Sequence, residues 1–307
     1  MNASRTHWTA ALFAALLPAT WATAGPEPDL QLVEVSSSVV MAQHDSGSNV
    51  TCIALDDGLV FVDAGLSTEA AAAFRAQMER RFERPTTRLI LTHGHIDHIF
   101  GMGAFADVEA VAAAVEKPLF EQQLAIEWNA DTIPVYEGIF PGFAEAQQTA
   151  RPFLPTDWVE GEHSLGAPGR EVLFATTGGH SSGSSFVWFP AERVLVSGDL
   201  VQVDKHPYFG DPTNDLAAWI AALKSWHAME PVKICPGHGR VVDKDYLRLE
   251  WEYFESLTAA LGRLKAEGVP LEEAVAHPAL LAGYWDPNLP EPGWWKYCLA
   301  RCYQSLG

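Results

Sequence analysis

Short apolar runs alternate with longer amphipathic ones, and the whole alternation occurs twice along the chain. In the first half Leu30–Ala42, rich in Val and Ser, predicts a strand. Asn49–Leu55 and Leu59–Val62 predict a hairpin closed by Asp56-Asp57-Gly58. Ser67 or Thr68 is placed to cap a helix running to Phe82, and Thr87–Thr92 follows as a short apolar strand that leads into His93. From Gly101 to Gln148 the Ala-rich pattern predicts mostly helix. It is broken between Asn129 and Gly142 by Pro134, Gly138 and Pro141. The broken stretch, within residues 126–143, carries Trp128, Tyr136, Phe140 and Phe143 and suits either a flap over a site or plain helix packing.

The second half repeats the theme. Glu171–Thr176, Ser184–Phe189 and Arg193–Val196 predict strands, with Pro190-Ala191-Glu192 as a turn. Thr213-Asn214-Asp215 caps a helix through Met229, Val232–Cys235 is a short strand, and Asp243–Glu267 is a long helix. Two successions of β-hairpin, helix and strand predict two sheets face to face with helices outside. The expected division is residues 25–242 as the catalytic domain and 243–307 as a helical, Trp-rich extension packed on it. In that extension Trp285, Trp294 and Trp295 serve either packing or an apolar groove.

Residues 1–24 read differently. Arg5 and His7 precede the apolar run Trp8–Leu17, which is too short for a membrane span, and Ala22-Thr23-Ala24 is a small-x-small cleavage pattern. A secretory signal peptide is expected, hence a periplasmic or secreted location without a membrane anchor. The four cysteines, Cys52, Cys235, Cys298 and Cys302, are expected as buried thiols, because a chain of 307 residues folds without disulfides. With 48% apolar and 19% charged residues the chain is globular rather than disordered. A formal net charge of −19 argues against nucleic-acid partners, whose phosphates require basic surfaces. A small-molecule substrate is the expected partner and nucleic acid is not, while composition is silent on oligomeric state.

Chemistry concentrates in small-residue loops at predicted strand ends. Thr92-His93-Gly94-His95-Ile96-Asp97-His98 holds three of the 11 histidines. In extended backbone, residues i and i+2 point the same way, so His93 and His95 can grip one ion. If Asp97 opens a turn, Asp97 and His98 project toward a second point nearby. Gly178-Gly179-His180, Gly198-Asp199 and Gly237-His238 each add one ligand type beside glycine, and imidazole with carboxylate suits zinc or another first-row cation.

In these residues the chain resembles the metallo-β-lactamase superfamily over Leu30–Asp243, with Val62-Asp63-Ala64-Gly65 similar to the family's first motif. The resemblance implies an α/β fold, a four-layer αβ/βα sandwich. It also implies that His93, His95 and His180 hold one zinc and that Asp97, His98 and His238 hold a second, with Asp199 bridging. A shared hydroxide would then be the nucleophile, with Asp97 orienting it and carrying the proton. The bridging Asp is similar to the glyoxalase-II-like set, whereas dedicated β-lactamases of the family usually carry Cys or Ser there. The Cys-Gly-Arg run of glyoxalase II is absent after Asp199. Lys205, His206 and Tyr208 stand in that stretch as candidate substrate contacts. The reading is an exported dinuclear zinc hydrolase acting on an ester, thioester, lactone or amide. β-Lactam hydrolysis, a mononuclear iron dioxygenase and a metal-binding accessory protein are the alternatives.

Overall fold

The computed structural model describes residues 30–277, 280 and 293–306, so the expected signal peptide and Trp285 lie outside the described residues. β1 (Gln31–Glu34), β2 (Val39–Gln43), β3 (Val50–Leu55), β4 (Gly58–Val62), β5 (Thr86–Ile90), β6 (Glu109–Ala113) and β7 (Asp157–Val159) lie side by side in sequence order in one sheet. The first four are antiparallel, as tight hairpins require, and β4 through β7 are parallel. The crossover from β4 to β5 is α1 (Thr68–Phe82), whose Ser67 accepts a hydrogen bond from Ala70 N as its N-cap. Between β5 and β7 lie α2 (Ile96–Ile99), α3 (Lys117–Leu124), α4 (Ile133–Ile139) and α5 (Phe143–Thr149).

The second sheet runs β12-β11-β10-β9-β8, built from β8 (Glu162–Leu165), β9 (Val172–Thr176), β10 (Ser185–Phe189), β11 (Val194–Gln202) and β12 (Lys233–His238). The β11–β12 pair is parallel and is joined by α6 (Leu216–Ala228), capped by the Asp215 carboxylate. After β12 come α7 (Lys244–Ala266), α8 (Leu271–Ala274) and α9 (Trp295–Ser305).

Three apolar layers explain the arrangement. Between the sheets, Val39, Ile53, Val60 and Ile90 meet Phe174, Val187, Phe189 and Val196. Outside the first sheet, Phe61 and Leu89 pack on Phe74 and Met78 of α1. Outside the second, Trp219 and Trp226 of α6, Phe254 of α7 and Trp295 and Leu299 of α9 share one cluster with Leu195 and Ile234. Both faces of both sheets are therefore buried, which is the αβ/βα sandwich expected. All four cysteines are free and buried, and burial pushes the Cys235 and Cys298 thiols up to about 12. Among the described residues no helix is long and apolar enough to cross a membrane.

Four expectations are corrected. Leu30–Ala42 is not one strand: it folds back through Ser36-Ser37-Ser38 so that β1 pairs with β2, Gln31 opposite Gln43. The stretch Gly101–Gln148 contains β6, because Ala110–Ala113 are buried in a parallel sheet where tertiary contacts outweigh alanine's helix propensity. The strand predicted over Arg193–Val196 runs on to Gln202, and the one over Val232–Cys235 runs to His238. Asp199 and His238 therefore stand within strands rather than in loops.

Those two neighbouring strands approach very closely. A Cβ added at Gly237 would lie 2.0 Å from Asp199 Oδ1 and 2.7 Å from the Gly198 carbonyl carbon. Gly237→Ala is expected to destabilise the metal-free protein by about 1–3 kcal/mol, as overpacking does. Gly138→Ala in α4, where an added Cβ meets nothing within 4 Å, is expected to be neutral or slightly stabilising. Urea unfolding of the two variants beside the parent measures the contrast, and equal midpoints would contradict the close packing.

Candidate metal centre

The site lies where the carboxyl ends of β4, β5, β9, β11 and β12 meet. Thr92 through His95 leave β5 in extended backbone, with His95 at φ −69° and ψ 149°, and Asp97 and His98 then turn within α2. As the i, i+2 spacing predicts, His93 and His95 face the same point, with Nε2 and Nδ1 3.0 Å apart. His180, from the loop after β9, brings its Nε2 to 2.9 Å from the same His95 Nδ1.

The outward nitrogens determine what these three rings present inward. His180 Nδ1 lies 2.8 Å from the Tyr208 carbonyl oxygen, which can only accept. His95 Nε2 lies 3.0 Å from Asp211 Oδ2, and the Asp211 carboxyl is held low, its hydrogen bond and charge contact with His95 outweighing burial. His93 Nδ1 is 3.1 Å from Thr92 Oγ1, whose own proton goes to the Asp63 carboxylate at 2.8 Å. Each ring thus donates outward, which leaves a lone pair on the inward nitrogen. Burial, with neighbouring histidines adding to it, keeps His93 well below the usual imidazole range and His180 at about 4. His93 and His180 are thus neutral imidazoles, as a metal ligand must be.

The second set has the opposite character. His98 donates through Nδ1 to Asp63 Oδ2 at 2.9 Å, and its Nε2 lies 3.0 Å from Asp199 Oδ1. His238 Nε2 is 3.3 Å from both Asp97 Oδ2 and Asp199 Oδ2, while Asp199 Oδ2 is also 3.6 Å from His180 Nε2. Asp199 therefore touches both groups. Burial opposes charge on His98 and His238, but the carboxylates outweigh it, so His98 is held well above its usual range and His238 at about 9. The same attraction, against burial, lowers Asp97 and takes Asp199 well down.

A cation fits this cradle. His93, His95 and His180 form one group whose ligand atoms lie within 4.8 Å of one another; Asp97, His98 and His238 form a second, and His93, His98 and Asp199 a third between them. Asp97 Oδ2, His98 Nε2 and Asp199 Oδ1 are buried without a well-aligned hydrogen bond. Neutral imidazoles and carboxylates are the donors that divalent first-row ions take.

Several residues that hold the site carry no signal a single sequence displays. Glu116, in the helical turn between β6 and α3, is buried and accepts hydrogen bonds from Gly94 N at 3.3 Å, Ser181 Oγ at 2.8 Å and Gly183 N at 2.6 Å. It ties the His93–His95 loop to the His180 loop. Asn49 reaches from the first sheet to the second, donating through Nδ2 to the carbonyls of Pro236 at 3.0 Å and Gly239 at 2.8 Å, either side of His238. The Ser181–Ser185 run serves loop packing, Ser181 Oγ lying 2.9 Å from Ser184 Oγ.

A cavity of about 460 Å³ opens onto His95, Asp97, Asp199 and His238. Lys205, His206 and Tyr208, the candidate substrate contacts, all line it, although the His206 ring is buried against Trp295 at 4.7 Å between centroids. The 126–143 stretch packs on the core and also borders the cavity. Trp128 and Phe143 pack edge-on and tilted against Phe100, while Val135, Ile139 and Phe140 line the cavity. The tryptophan tail divides likewise: Trp295 is core, and Trp294 faces the cavity.

This constellation defines a metallohydrolase-type centre, and comparison with known proteins agrees. The family model "Metallo-beta-lactamase superfamily" matches residues 45–238. The chain belongs to the metallo-beta-lactamase superfamily, a superfamily of metal-dependent hydrolases. It is 24% identical to the linear primary-alkylsulfatase of Pseudomonas sp. (strain ATCC 19151) over 81% of this chain and 54% of that one. It is 23% identical to a metallo-beta-lactamase type 2 of Bacillus sp. (strain 170) over 65% of this chain and 70% of that one. The stereoselective inverting sec-alkylsulfatase Pisa1 from Pseudomonas sp. shares the fold with a TM-score of 0.62 at 20% identity, covering 90% of this chain and 50% of that one. The chain thus spans about half the length of the alkylsulfatases it matches.

The opposed histidine shifts predict a bell-shaped stability profile for the metal-free protein. His180, about 4 folded against 6.5 unfolded, binds fewer protons when folded, so stability rises with pH across that interval. His238, about 9 folded against 6.5 unfolded, contributes stability that is complete below 6.5 and lost as pH rises toward 9. Thermal melts of chelator-treated protein are expected to peak near about pH 6.5 and to fall on both sides. Stability that climbs steadily to pH 9 would contradict the carboxylate-held protons on His98 and His238.

Proposed function

We propose that the chain is an exported, dinuclear metal-dependent hydrolase that cleaves an ester-type bond of a small molecule. Zinc is the expected metal, with other divalent first-row ions as substitutes. His93, His95 and His180 would hold one ion and Asp97, His98 and His238 the other, with Asp199 shared. One observation carries the reading: three imidazoles, those of His93 and His180 buried and that of His95 partly so, each hydrogen-bonded on its outward nitrogen, turn their other nitrogens onto one point beside a carboxylate-rich second set. When bound, such ions supply Lewis acidity and lower the pKa of water toward 7.

The chain's own groups complete the chemistry. The Asp97 carboxylate, 3.3 Å from His238 Nε2 and lining the cavity, is placed to orient the attacking water, take its proton and pass it to the leaving atom. Lys205 and the Tyr208 hydroxyl, kept protonated by burial, are donors for the oxygen that gains charge. Esters, thioesters and lactones release leaving groups that need little protonation, whereas an amide nitrogen needs a proton delivered. Asp199 stands where dedicated β-lactamases usually have Cys or Ser, which also favours the oxygen and sulfur esters. A second reading, sulfate-ester cleavage, is favoured by the alkylsulfatase relatives together with Lys205 in the cavity.

Chelation is expected to abolish turnover of a chromogenic ester panel, and zinc to restore it. An activated lactone or thioester is expected to exceed nitrocefin by at least about tenfold in kcat/KM, equivalent to about 1.4 kcal/mol. Undiminished turnover by metal-free protein would end the hydrolase reading, and a β-lactam as best substrate would replace the ester. Export rests on the residue 1–24 pattern. Amino-terminal sequencing of the secreted protein is expected to start near Gly25, and soluble cytoplasmic protein retaining Met1 would refute it.

A further inference from the structure

The cavity's polar floor is described above; its remaining wall, in which Gln122 and Gln123 of α3 are polar, is otherwise mostly apolar and comes largely from two stretches outside the paired sheets. Leu119, Val135, Ile139 and Phe140 line it from α3, α4 and the turn after α4, and Trp294 and Tyr297 line it from the start of α9. Val135 is 60% exposed, Ile139 48% and Tyr297 49%. Scattered exposed apolar side chains are normal, but here three of the seven large hydrophobics exposed among the described residues border one cavity. α4 has no fully buried residue: Ile133 and Tyr136 pack on the core, while Val135 and Ile139 are left exposed at the cavity.

The wall is continuous with the centre. The Tyr208 ring lies 6.2 Å from His95 and 5.4 Å from Trp294, an aromatic path from the first ligand set to α9. Gly210 permits the crowding, since an added Cβ would sit 2.8 Å from the Tyr208 ring and 2.9 Å from the Tyr297 ring. The acidic character of the cavity disfavours an anionic tail. Asp45 and Asp211 line it beside the acidic ligands, Lys205 is the one Lys or Arg among the lining residues, and the chain carries −19.

From this geometry we infer that the substrate of the hydrolytic centre bears a neutral apolar chain, alkyl or acyl, of several carbons. The chain lies along α4 and α9 with the scissile bond at the Asp97–Asp199 end. Val135, Ile139, Trp294 and Tyr297 set the preferred length. The inference rests on the hydrolase reading and narrows it. A sugar or peptide lying against Val135, Ile139 and Trp294 would surrender hydrogen bonds that those side chains do not return.

The test is a homologous series on zinc-loaded enzyme: 4-nitrophenyl esters of two to ten carbons and n-alkyl sulfates of four to twelve. A fully buried methylene is worth about 0.8 kcal/mol, about fourfold, so kcat/KM is expected to rise about two- to fourfold per carbon until the cavity fills. Val135→Asp, Ile139→Asp and Tyr297→Ser, all at half-exposed positions, are expected to flatten that slope. Leu249→Asp on α7, 44% exposed and outside the cavity, is expected to keep it. A terminal carboxylate on the longest ester is expected to lower kcat/KM at least tenfold. Turnover without length dependence, or a slope indifferent to the three variants, would overturn the apolar slot and leave the hydrolase reading standing. If no ester, sulfate, activated lactone or thioester is turned over, the hydrolase reading fails by itself. The slot is then judged by tryptophan-fluorescence titration with n-alkyl phosphonates of two to ten carbons. Affinity that rises with length and falls in Tyr297→Ser upholds it, and flat affinity overturns it.

Discussion

Three imidazole lone pairs turned toward one another are the constraint on which the rest of the structure depends. Ring nitrogens of His93 and His180 crowd to 2.9–3.0 Å from His95 Nδ1, and the burial of His93 and His180 removes water that would relieve the crowding. The arrangement survives because each ring is anchored behind by a different acceptor: the Thr92 hydroxyl backed by Asp63, the Asp211 carboxylate, and the Tyr208 carbonyl. Those acceptors come from the end of β4, the β5 loop and the segment after β11, so neither sheet builds the first set alone. Asn49 and Glu116 are then intelligible as cross-ties, one between the sheets and one between the two histidine loops.

The asymmetry between the two sets follows from where the carboxylates fall. The first set meets Asp211 from outside, through a ring proton, and keeps neutral nitrogens inside. The second meets Asp97 and Asp199 face to face and retains protons on His98 and His238 against the pull of burial. A divalent ion entering the second set must displace protons, whereas one entering the first displaces none, so ion binding is pH-linked chiefly on one side. Asp199, in reach of His98, His180 and His238, couples the two.

Much of this was legible in the residues. The i, i+2 spacing of His93 and His95 places both on one side of an extended segment whatever surrounds them, and the turn at Asp97 follows from its place after that segment. The helix caps Ser67, Asp215 and Asp243 act locally and read directly. What stayed hidden depended on tertiary contacts. β6 is too short for periodicity to separate strand from helix, and its alanines favour helix until a sheet encloses them. Glu116, Asn49 and Asp211 are single polar residues whose meaning arises only from partners 22 to 190 positions away. The strand around Asp199 was read as ending early because Gly198 suggests a turn, yet here glycine lets two backbones and a carboxylate crowd together.

Leu119, Val135, Ile139, Phe140, Trp294 and Tyr297, which border the cavity, belong to segments that contribute no ligand to the ion cradle. Reactivity and selectivity are thus written in separate stretches of chain. Insertions or replacements in the α4 region or near α9 can retune what enters without disturbing a single anchoring hydrogen bond around the imidazoles. A scaffold divided in this way can diversify by editing its margins, while the interior geometry that makes bond cleavage possible is inherited intact.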